Sequence, residues 1–343
     1  MHKILAMTMI IELNLYINMV GNIFFSLRRV SKSGPLPDFR GHRLRCISCY
    51  DPCPNSERRR RKPAMDVAIT KLTEHTGAEV RGIDLSAGVD SETNERLNQA
   101  FVDRSVLVIR DQTLSPQQLL DTVHLFGDVF PQHNTRFALP DCPQIHFISN
   151  QDKFPDGRRY IPGEGWHTDH SNDVRPPKAT VLHAVSLPSR GGDTQFANMA
   201  AAYDALPAAL SERLRGLTAI HVYQSSHSAR QLMALPDTAK ERVPNAVLHP
   251  IVRTHPQSGR RSIYINPIRI EGILGLDHKE ALPLLDELLA FATAPRFEYR
   301  HKWAPGDLVM WDNRCVLHKA NGDYDMNEVR YLYRVMLKGS VPV

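Results

Sequence analysis

The feature that most constrains the fold of this chain is a long series of short strand-like segments separated by turns rich in proline and glycine. Residues 105–110, Ser-Val-Leu-Val-Ile-Arg, have the β-branched character of a buried strand. Similar segments predict strands at 67–72, 78–85, 178–186, 192–198, 261–266, 297–300, 307–311 and 329–337. Helical periodicity is confined to 91–101, 200–217, 279–292 and 115–126, the last opened by a capping box at Ser115 and Gln118. The sequence therefore predicts a mainly β fold, an antiparallel sandwich or barrel with flanking helices.

The first 64 residues differ from the rest of the chain in charge. They contain 12 lysines and arginines, five of them in the run 58–62, against 4 acidic residues. Residues 65–343 hold the remaining 30 basic and 33 acidic residues, so the basic character belongs to the leader. The acidic body argues against nucleic-acid binding. We expect residues 1–64 to be a poorly ordered basic leader, produced by a mis-assigned start, and residues 65–343 to form the folded domain.

The leader contains two further patterns that have simple explanations. Its apolar stretch, 4–27, is interrupted by one glutamate and three asparagines, so it predicts neither a spanning helix nor a signal peptide. Cys46, Cys49 and Cys53 lie near His42, but a single Cys-x-x-Cys pair is weak support for a zinc site. Five cysteines in 343 residues exclude a disulfide scaffold. A reducing, cytoplasmic location without membrane attachment is the expectation.

The most informative motif for chemistry is Trp-His-Thr-Asp-His at residues 166–170. In an extended segment, side chains two residues apart share a face, so His167 and Asp169 would point at the same spot. With a second imidazole from elsewhere, they would form the facial triad of non-haem Fe(II) oxygenases. His170 would face the opposite side, or the substrate if the strand ends there. His-x-Asp alone is common, and most of the 16 histidines are expected to have ordinary surface or core roles.

The carboxyl-terminal part of the chain offers a third ligand and two arginines. His318 follows a turn and predicted buried strand, which would deliver its imidazole into a cavity. Arg330 and Arg334 lie in the alternating apolar segment 329–337, and a buried guanidinium needs an anionic partner. Its planar fork matches a carboxylate. The residues alone leave two alternatives open: exposed arginines paired with Glu328 or Asp325, or buried arginines that bind anionic ligands.

Six separate motifs together resemble the taurine / 2,4-dichlorophenoxyacetate dioxygenase (TauD/TfdA) family of Fe(II)- and 2-oxoglutarate-dependent enzymes. They occur in the family's order and at close to its spacing, and the resemblance covers residues 67–339. The motifs are 77–85 (Gly-Ala-Glu-Val-Arg-Gly-Ile-Asp-Leu), 108–112 (Val-Ile-Arg-Asp-Gln), 166–169 (Trp-His-Thr-Asp), 188–194 (Pro-Ser-Arg-Gly-Gly-Asp-Thr), 252–256 (Val-Arg-Thr-His-Pro) and 311–314 (Trp-Asp-Asn-Arg) before His318. The resemblance implies a double-stranded β-helix core, the cupin-like jelly roll, and a homo-oligomer.

The resemblance also implies a role for each matching residue. His167, Asp169 and His318 match the iron ligands. Thr194 and Arg330 match the residues that hold the distal carboxylate of 2-oxoglutarate. The implied reaction hydroxylates a substrate while O2 and 2-oxoglutarate are converted to succinate and CO2. Because Asp169 is not replaced by alanine or glycine, which would leave room for a halide, hydroxylation is favoured over halogenation.

The implied substrate is a small anionic molecule, either a sulfonate or sulfate ester, or an aryloxyalkanoate such as 2,4-dichlorophenoxyacetate. Arg334 matches a second arginine that faces the substrate's anionic group, or makes a second contact to 2-oxoglutarate. His133 takes the place of a substrate-binding histidine of the taurine enzymes if the register shifts by one, and His170 is a further substrate-site candidate. Gly163 stands where those enzymes have asparagine, which weakens strict taurine specificity. The alternative is a non-catalytic, cupin-like small-molecule-binding protein.

Overall fold

The computed structural model describes residues 67–132 and 134–343, without the side chains of residues 238 and 239. The predicted leader, with its cysteines and basic run, lies outside these residues, and so does His133. In chain order the described strands are β1 (Ala68–Lys71), β2 (Ala78–Arg81), β3 (Val106–Ile109), β4 (Ala138–Leu139), β5 (Cys142–Ser149), β6 (Ala179–Ser186), β7 (Thr194–Asn198), β8 (Thr218–His221), β9 (Val247–Pro250), β10 (Val252–Thr254), β11 (Arg261–Ile263), β12 (Ile270–Ile273), β13 (Glu298–His301), β14 (Leu308–Asp312), β15 (Val316–Ala320) and β16 (Tyr331–Leu337). The described helices are α1 (Ser91–Arg104), α2 (Pro116–His124), α3 (Met199–Asp204), α4 (Ala208–Arg213), α5 (Asp237–Lys240) and α6 (His278–Ala292). The prediction of a mainly β fold with few helices is confirmed.

Local sequence explains where the first two helices begin. The side chain of Asp90 accepts a hydrogen bond from the backbone N–H of Thr93 and caps α1, which buries Leu97 and Phe101 as predicted. The predicted capping box of Ser115 and Gln118 opens α2. Both caps satisfy backbone N–H groups that have no partner within the first helical turn.

Some predicted elements differ from the observed ones. The predicted helix 200–217 is two short helices, α3 and α4, because Pro207 disfavours helical geometry in the residue before it. The predicted strand 78–85 ends at Arg81, since Gly82 has a φ of +74° and turns the chain. Strands β4, β5, β8, β9, β10, β12 and β15 were not predicted.

Two sheets pack face to face and enclose the core that positions the site. The larger sheet has the order β1-β2-β3-β14-β6-β16-β5-β4, with all its pairs antiparallel except β2 and β3. The smaller sheet has the order β13-β7-β15. Leu182, Trp311 and Leu332 from the larger sheet form one buried cluster with Phe196 and Val316 from the smaller one. Burial of this apolar area is the main force that holds the sheets together.

Helices cover the remaining apolar surfaces. Residues of α1 and α2 pack in a second buried cluster with Leu107, Ile109 and Met310 of the larger sheet. Residues of α3 and α6 form a third cluster with the three-stranded sheet β12-β8-β9. Among the helices of the described residues, none combines the length and apolar character needed to cross a membrane.

Candidate functional site

The structure brings the three predicted metal ligands together. His167 forms an isolated antiparallel bridge with His318 of β15, in which each backbone N–H donates to the other residue's carbonyl, at 3.0 and 2.8 Å. The two imidazole centroids are therefore only 4.1 Å apart. One ligand atom from each of His167, Asp169 and His318 lies within 4.8 Å of the others. The bridge explains why the distant His318 completes the His-x-Asp pair.

A hydrogen bond orients the His167 ring toward the other two side chains. The Nδ1–H of His167 donates to the carbonyl of Gly165 at 2.8 Å, which leaves the Nε2 lone pair facing the cluster. His167 Nε2 lies 4.0 Å from Asp169 Oδ1, and His318 Nε2 lies 3.7 Å from Asp169 Oδ2. Metal–ligand bonds of about 2.0–2.2 Å separate neighbouring ligand atoms by about 3–4 Å, so the set fits a metal ion.

The electrostatic environment gives each ligand the protonation state that metal binding requires. Burial lowers the pKa of His167 and that of His318, the latter to about 4, so both imidazoles are neutral at pH 7. Burial would raise the pKa of Asp169, but His318 and His167 beside it hold that pKa below its ordinary value. A carboxylate with two neutral imidazoles is the donor set of a facial triad.

Arg330 and Thr194 lie together at the wall of the same cavity. Arg330 is 4% exposed, and its Nε donates to the carbonyl of Gly192 at 3.0 Å. Burial lowers the pKa of Arg330 to about 10, so the guanidinium remains charged at neutral pH. Trp303 Nε1 donates to Thr194 Oγ1 at 3.1 Å, and the Trp303 ring lies 5.9 Å from the Arg330 guanidinium carbon. Among the described residues no carboxylate pairs with Arg330, so this cradle can receive an anionic ligand.

The two glycines of the motif 188–194 are required by close packing. Gly191 and Gly192 have φ values of +72° and +70°. A Cβ on Gly191 would lie 2.4 Å from the carbonyl oxygen of Asp323, and one on Gly192 would lie 3.1 Å from Arg330 Nε. Glycine therefore allows the backbone to approach and bond Arg330.

Arg334 and His170 also line the cavity, whereas the predicted position of His133 lies outside the described residues. Arg334 donates to the side-chain oxygen of Gln132, and its Nε is buried without a hydrogen-bond partner in the described part of the chain. His170 has a φ of +45°, so the extended segment turns there and its side chain reaches the cavity.

The alternative in which the arginines pair with exposed acids is wrong. Glu328 instead accepts hydrogen bonds from the backbone N–H and the hydroxyl of Ser189. Asp325 accepts from the backbone N–H of Asn327. Arg330 is buried, as the other alternative requires.

Several residues at the site were not identified from the sequence, and one of them, Thr180 on β6, is buried and bonds a proposed ligand directly. Its hydroxyl accepts from Asn313 Nδ2 at 2.9 Å and therefore donates its own hydrogen to Asp169 Oδ2, at 2.6 Å. The others are Asp152, Tyr160, Tyr223, Arg230 and Arg269, with an apolar wall that includes Phe137, Phe147, Leu232, Met233, Leu235 and Ile268. None of these belongs to a short motif, since the fold alone assembles them.

Thr180→Val is expected to weaken metal binding by about 10- to 100-fold, because an outer hydrogen bond that orients a ligand contributes that much. The measurement is the Kd for Fe(II) under anaerobic conditions. Thr122→Val is the matched control, since the buried Thr122 hydroxyl on α2 has no partner among the described residues. Equal Kd values for the two variants would show that the Thr180 hydroxyl does not orient Asp169.

His255, Asp312 and Cys315 form a second group of side chains of the types that bind metals. Here, however, Asp312 forms a buried ion pair with Arg314. Arg314 donates to both oxygens of Asp312, at 2.8 and 2.5 Å, and His255 Nε2 lies 3.0 Å from Oδ2. Burial raises the pKa of Cys315 to about 12, which keeps its thiol protonated. These contacts occupy the carboxylate and fix the loop between β14 and β15, upstream of His318.

Asp312→Asn is expected to destabilise the protein by about 3–5 kcal/mol, because it leaves the buried Arg314 charge uncompensated. The measurement is the free energy of unfolding from urea denaturation. Asp204→Asn, which breaks the exposed pair with Arg260, should cost less than about 1 kcal/mol. A similar small loss for both variants would contradict the structural role of Asp312.

Comparison with known proteins identifies similar sequences along nearly the whole described region. The family model described as "Taurine catabolism dioxygenase TauD, TfdA family" matches residues 68–336. The 2,4-dichlorophenoxyacetate dioxygenase of Cupriavidus pinatubonensis, named as alpha-ketoglutarate-dependent, is 36% identical over 79% of this chain and 97% of its own length. The alpha-ketoglutarate-dependent sulfate ester dioxygenase of Pseudomonas putida is 32% identical over 82% of this chain and 92% of its own.

Solved structures give the same result for the fold. The crystal structure of AAD-2 in complex with Mn(II) and N-oxalylglycine has a TM-score of 0.69 and 30% sequence identity. The match covers 81% of this chain and 99% of that one.

Proposed function

This chain belongs to the TauD/TfdA family of 2-oxoglutarate-dependent dioxygenases, and from this premise we propose that it hydroxylates a small anionic substrate at an Fe(II) centre. His167, Asp169 and His318 are the proposed iron ligands, and Arg330 with Thr194 is the proposed site for the distal carboxylate of 2-oxoglutarate. The observation that carries the proposal is that both groups line one cavity, with the imidazoles neutral and the guanidinium charged. A non-catalytic binding protein would not require this combination.

The side chains of the site would act mainly by binding and orientation. Fe(II), when bound with O2 as co-substrate, would supply the oxidising chemistry that converts 2-oxoglutarate to succinate and CO2 and hydroxylates a C–H bond. Arg330 would neutralise the far carboxylate of 2-oxoglutarate and fix the distance between that end and the ligand cluster. Thr180 would keep Asp169 oriented, and the apolar wall would exclude water from the reacting groups.

We also propose that the two facing sheets form the double-stranded β-helix, or jelly roll, of the cupin-like folds. The antiparallel order β3-β14-β6-β16-β5 opposite β13-β7-β15, with a shared apolar cluster, supports this. The dioxygenase domain would comprise residues 65–343. The cytoplasmic location, the homo-oligomeric state and the lack of nucleic-acid or membrane partners stay predictions from the sequence.

The proposed substrate combines an anionic head with an apolar body. Arg334 lines the cavity without a carboxylate partner among the described residues, and Phe137, Phe147 and Leu232 supply apolar surface. The relatives named above act on 2,4-dichlorophenoxyacetate and on sulfate esters, which have both features. Taurine carries a cationic amine in place of an apolar body, so we expect it to be a poor substrate.

Succinate release by the full-length chain, with Fe(II), 2-oxoglutarate and O2, tests this function. The substrates are 2,4-dichlorophenoxyacetate, hexyl sulfate and taurine, each compared with a reaction that lacks primary substrate. We expect succinate to rise with at least one of the first two and to remain near background with taurine. Background rates with both apolar anions would contradict the proposed substrate class.

A further inference from the structure

The side chains around the cavity carry more positive charge than bound Fe(II) and 2-oxoglutarate together would neutralise. Among its described residues, four arginines line the cavity, Arg230, Arg269, Arg330 and Arg334, against the carboxylates of Asp152 and Asp169. The two charges of Fe(II) and the two of 2-oxoglutarate would cancel each other. Two net positive charges therefore remain for the primary substrate, one more than a single-arginine contact would provide.

Arg230 is held in place at this cavity by several contacts. Its backbone N–H donates to Ser228 Oγ, while its carbonyl accepts from Gln224 Nε2 and from the Ser228 hydroxyl. Its Nη2 donates to the hydroxyl of Tyr160 at 3.2 Å, and its guanidinium carbon lies 5.9 Å from the Tyr160 ring centroid. Among the described residues no carboxylate pairs with it, so most of its N–H donors are available to a ligand.

The position of Arg230 is close to the proposed iron ligands. Its side-chain stem lies beside Gly165, where an added Cβ would be 4.0 Å from Arg230 Cδ. The carbonyl of Gly165 is the acceptor that orients His167. Arg230 and Arg334 both line the cavity that His167 and His318 also line. Both guanidinium groups therefore face the space beside the proposed iron ligands.

We propose that Arg230 is a second anion-binding arginine of the substrate site, which shares the anionic head of the primary substrate with Arg334. This inference rests on the proposed function. Tyr160 positions Arg230 through its hydroxyl, and the two residues connect segments 151–162 and 222–236 at the cavity. An anion held between two guanidinium groups from separate segments is fixed in orientation as well as in charge.

The test is the Arg230→Gln variant of the full-length chain, with 2,4-dichlorophenoxyacetate and hexyl sulfate as probes. We expect KM for the accepted anion to rise about 10- to 100-fold, since a charge-assisted hydrogen bond is lost. The kcat should change less than about threefold, because the head is held equally in the ground and transition states. The Kd for 2-oxoglutarate should stay within about twofold of wild type. Arg230→Lys should give an intermediate KM, and Tyr160→Phe a smaller increase than Arg230→Gln.

Arg158→Gln is the matched control. Arg158 lies in the same segment as Tyr160, but it is 64% exposed and pairs with Asp156. Equal KM values for Arg230→Gln and Arg158→Gln would overturn the inference, as would a loss of 2-oxoglutarate affinity equal to the rise in KM. If thermal melting shows that Arg230→Gln is not folded, the test is made with Arg230→Lys. A KM of Arg230→Lys equal to that of wild type would then overturn the inference. If wild type turns over neither anion, the proposed substrate class has failed and the inference fails with it.

Discussion

The His167→Ala variant is expected to bind Fe(II) too weakly for turnover and to lose succinate formation by on the order of a thousandfold. A metal centre supplies several kcal/mol to the reaction it promotes, and each ~1.4 kcal/mol is a factor of ten in rate. Among the described residues, removal of the His167 imidazole leaves only Asp169 and His318 in this group of potential ligands. The measurement pairs anaerobic Fe(II) binding with the succinate rate.

The control for this variant is His227→Ala. His227 lies outside the cavity lining, with a side chain that is 32% exposed and 3.7 Å from Glu271. We expect it to keep wild-type metal affinity and rate. A His167→Ala protein that binds Fe(II) like wild type would show that the metal lies elsewhere.

Arg330→Gln is expected to raise the Kd for 2-oxoglutarate by about 30-fold to several thousandfold. Truncating one partner of a buried charged hydrogen-bonded pair costs about 2–5 kcal/mol, and each ~1.4 kcal/mol is tenfold in affinity. Fe(II) affinity without 2-oxoglutarate should change little, since Arg330 bonds Gly192 and not a ligand. The measurement is isothermal titration calorimetry of 2-oxoglutarate into the anaerobic Fe(II) protein.

Two further variants test whether the charge or the planar shape of Arg330 is required, and whether the effect is specific to this arginine. Arg330→Lys keeps the charge but loses the planar fork, so its Kd should lie between wild type and Arg330→Gln. Arg213→Gln, which removes an exposed pair with Glu287, should leave the Kd unchanged. If Arg330→Gln binds 2-oxoglutarate as wild type does, the cradle of Arg330 and Thr194 has another ligand.

Elements with strong local signals could be predicted from the sequence. The capping box of Ser115 and Gln118 and the apolar positions of Leu97 and Phe101 depend on neighbours within one or two helical turns, and both were confirmed. The prediction of a single helix over 200–217 was wrong, because Pro207 interrupts helical geometry despite the helix-forming residues on both sides. Strands β8 (Thr-Ala-Ile-His) and β9 (Val-Leu-His-Pro) lack the run of apolar, β-branched residues that identified the equally short β3 (Val-Leu-Val-Ile).

The site could be predicted only as far as its motifs extend. His167 and Asp169 form a local pair. His318 was identified as the third candidate from the turn and strand that precede it, and the resemblance implied the same role; the structure brings all three together. Thr180 and Arg230 have no motif, because their proximity to the ligands arises from pairing of β6 within the larger sheet and from the path of a long connecting segment. Such contacts depend on tertiary structure, which a single sequence does not display.

The most direct test of the central claim is an anaerobic titration of Fe(II) and 2-oxoglutarate into the full-length chain, followed by visible absorption. A metal bound by the triad and chelated by 2-oxoglutarate should give a weak charge-transfer band that saturates at one equivalent of each. The band should be absent from His167→Ala and should require far more 2-oxoglutarate in Arg330→Gln. A well-folded wild-type protein that shows no band at saturating Fe(II) and 2-oxoglutarate would contradict the proposed iron site.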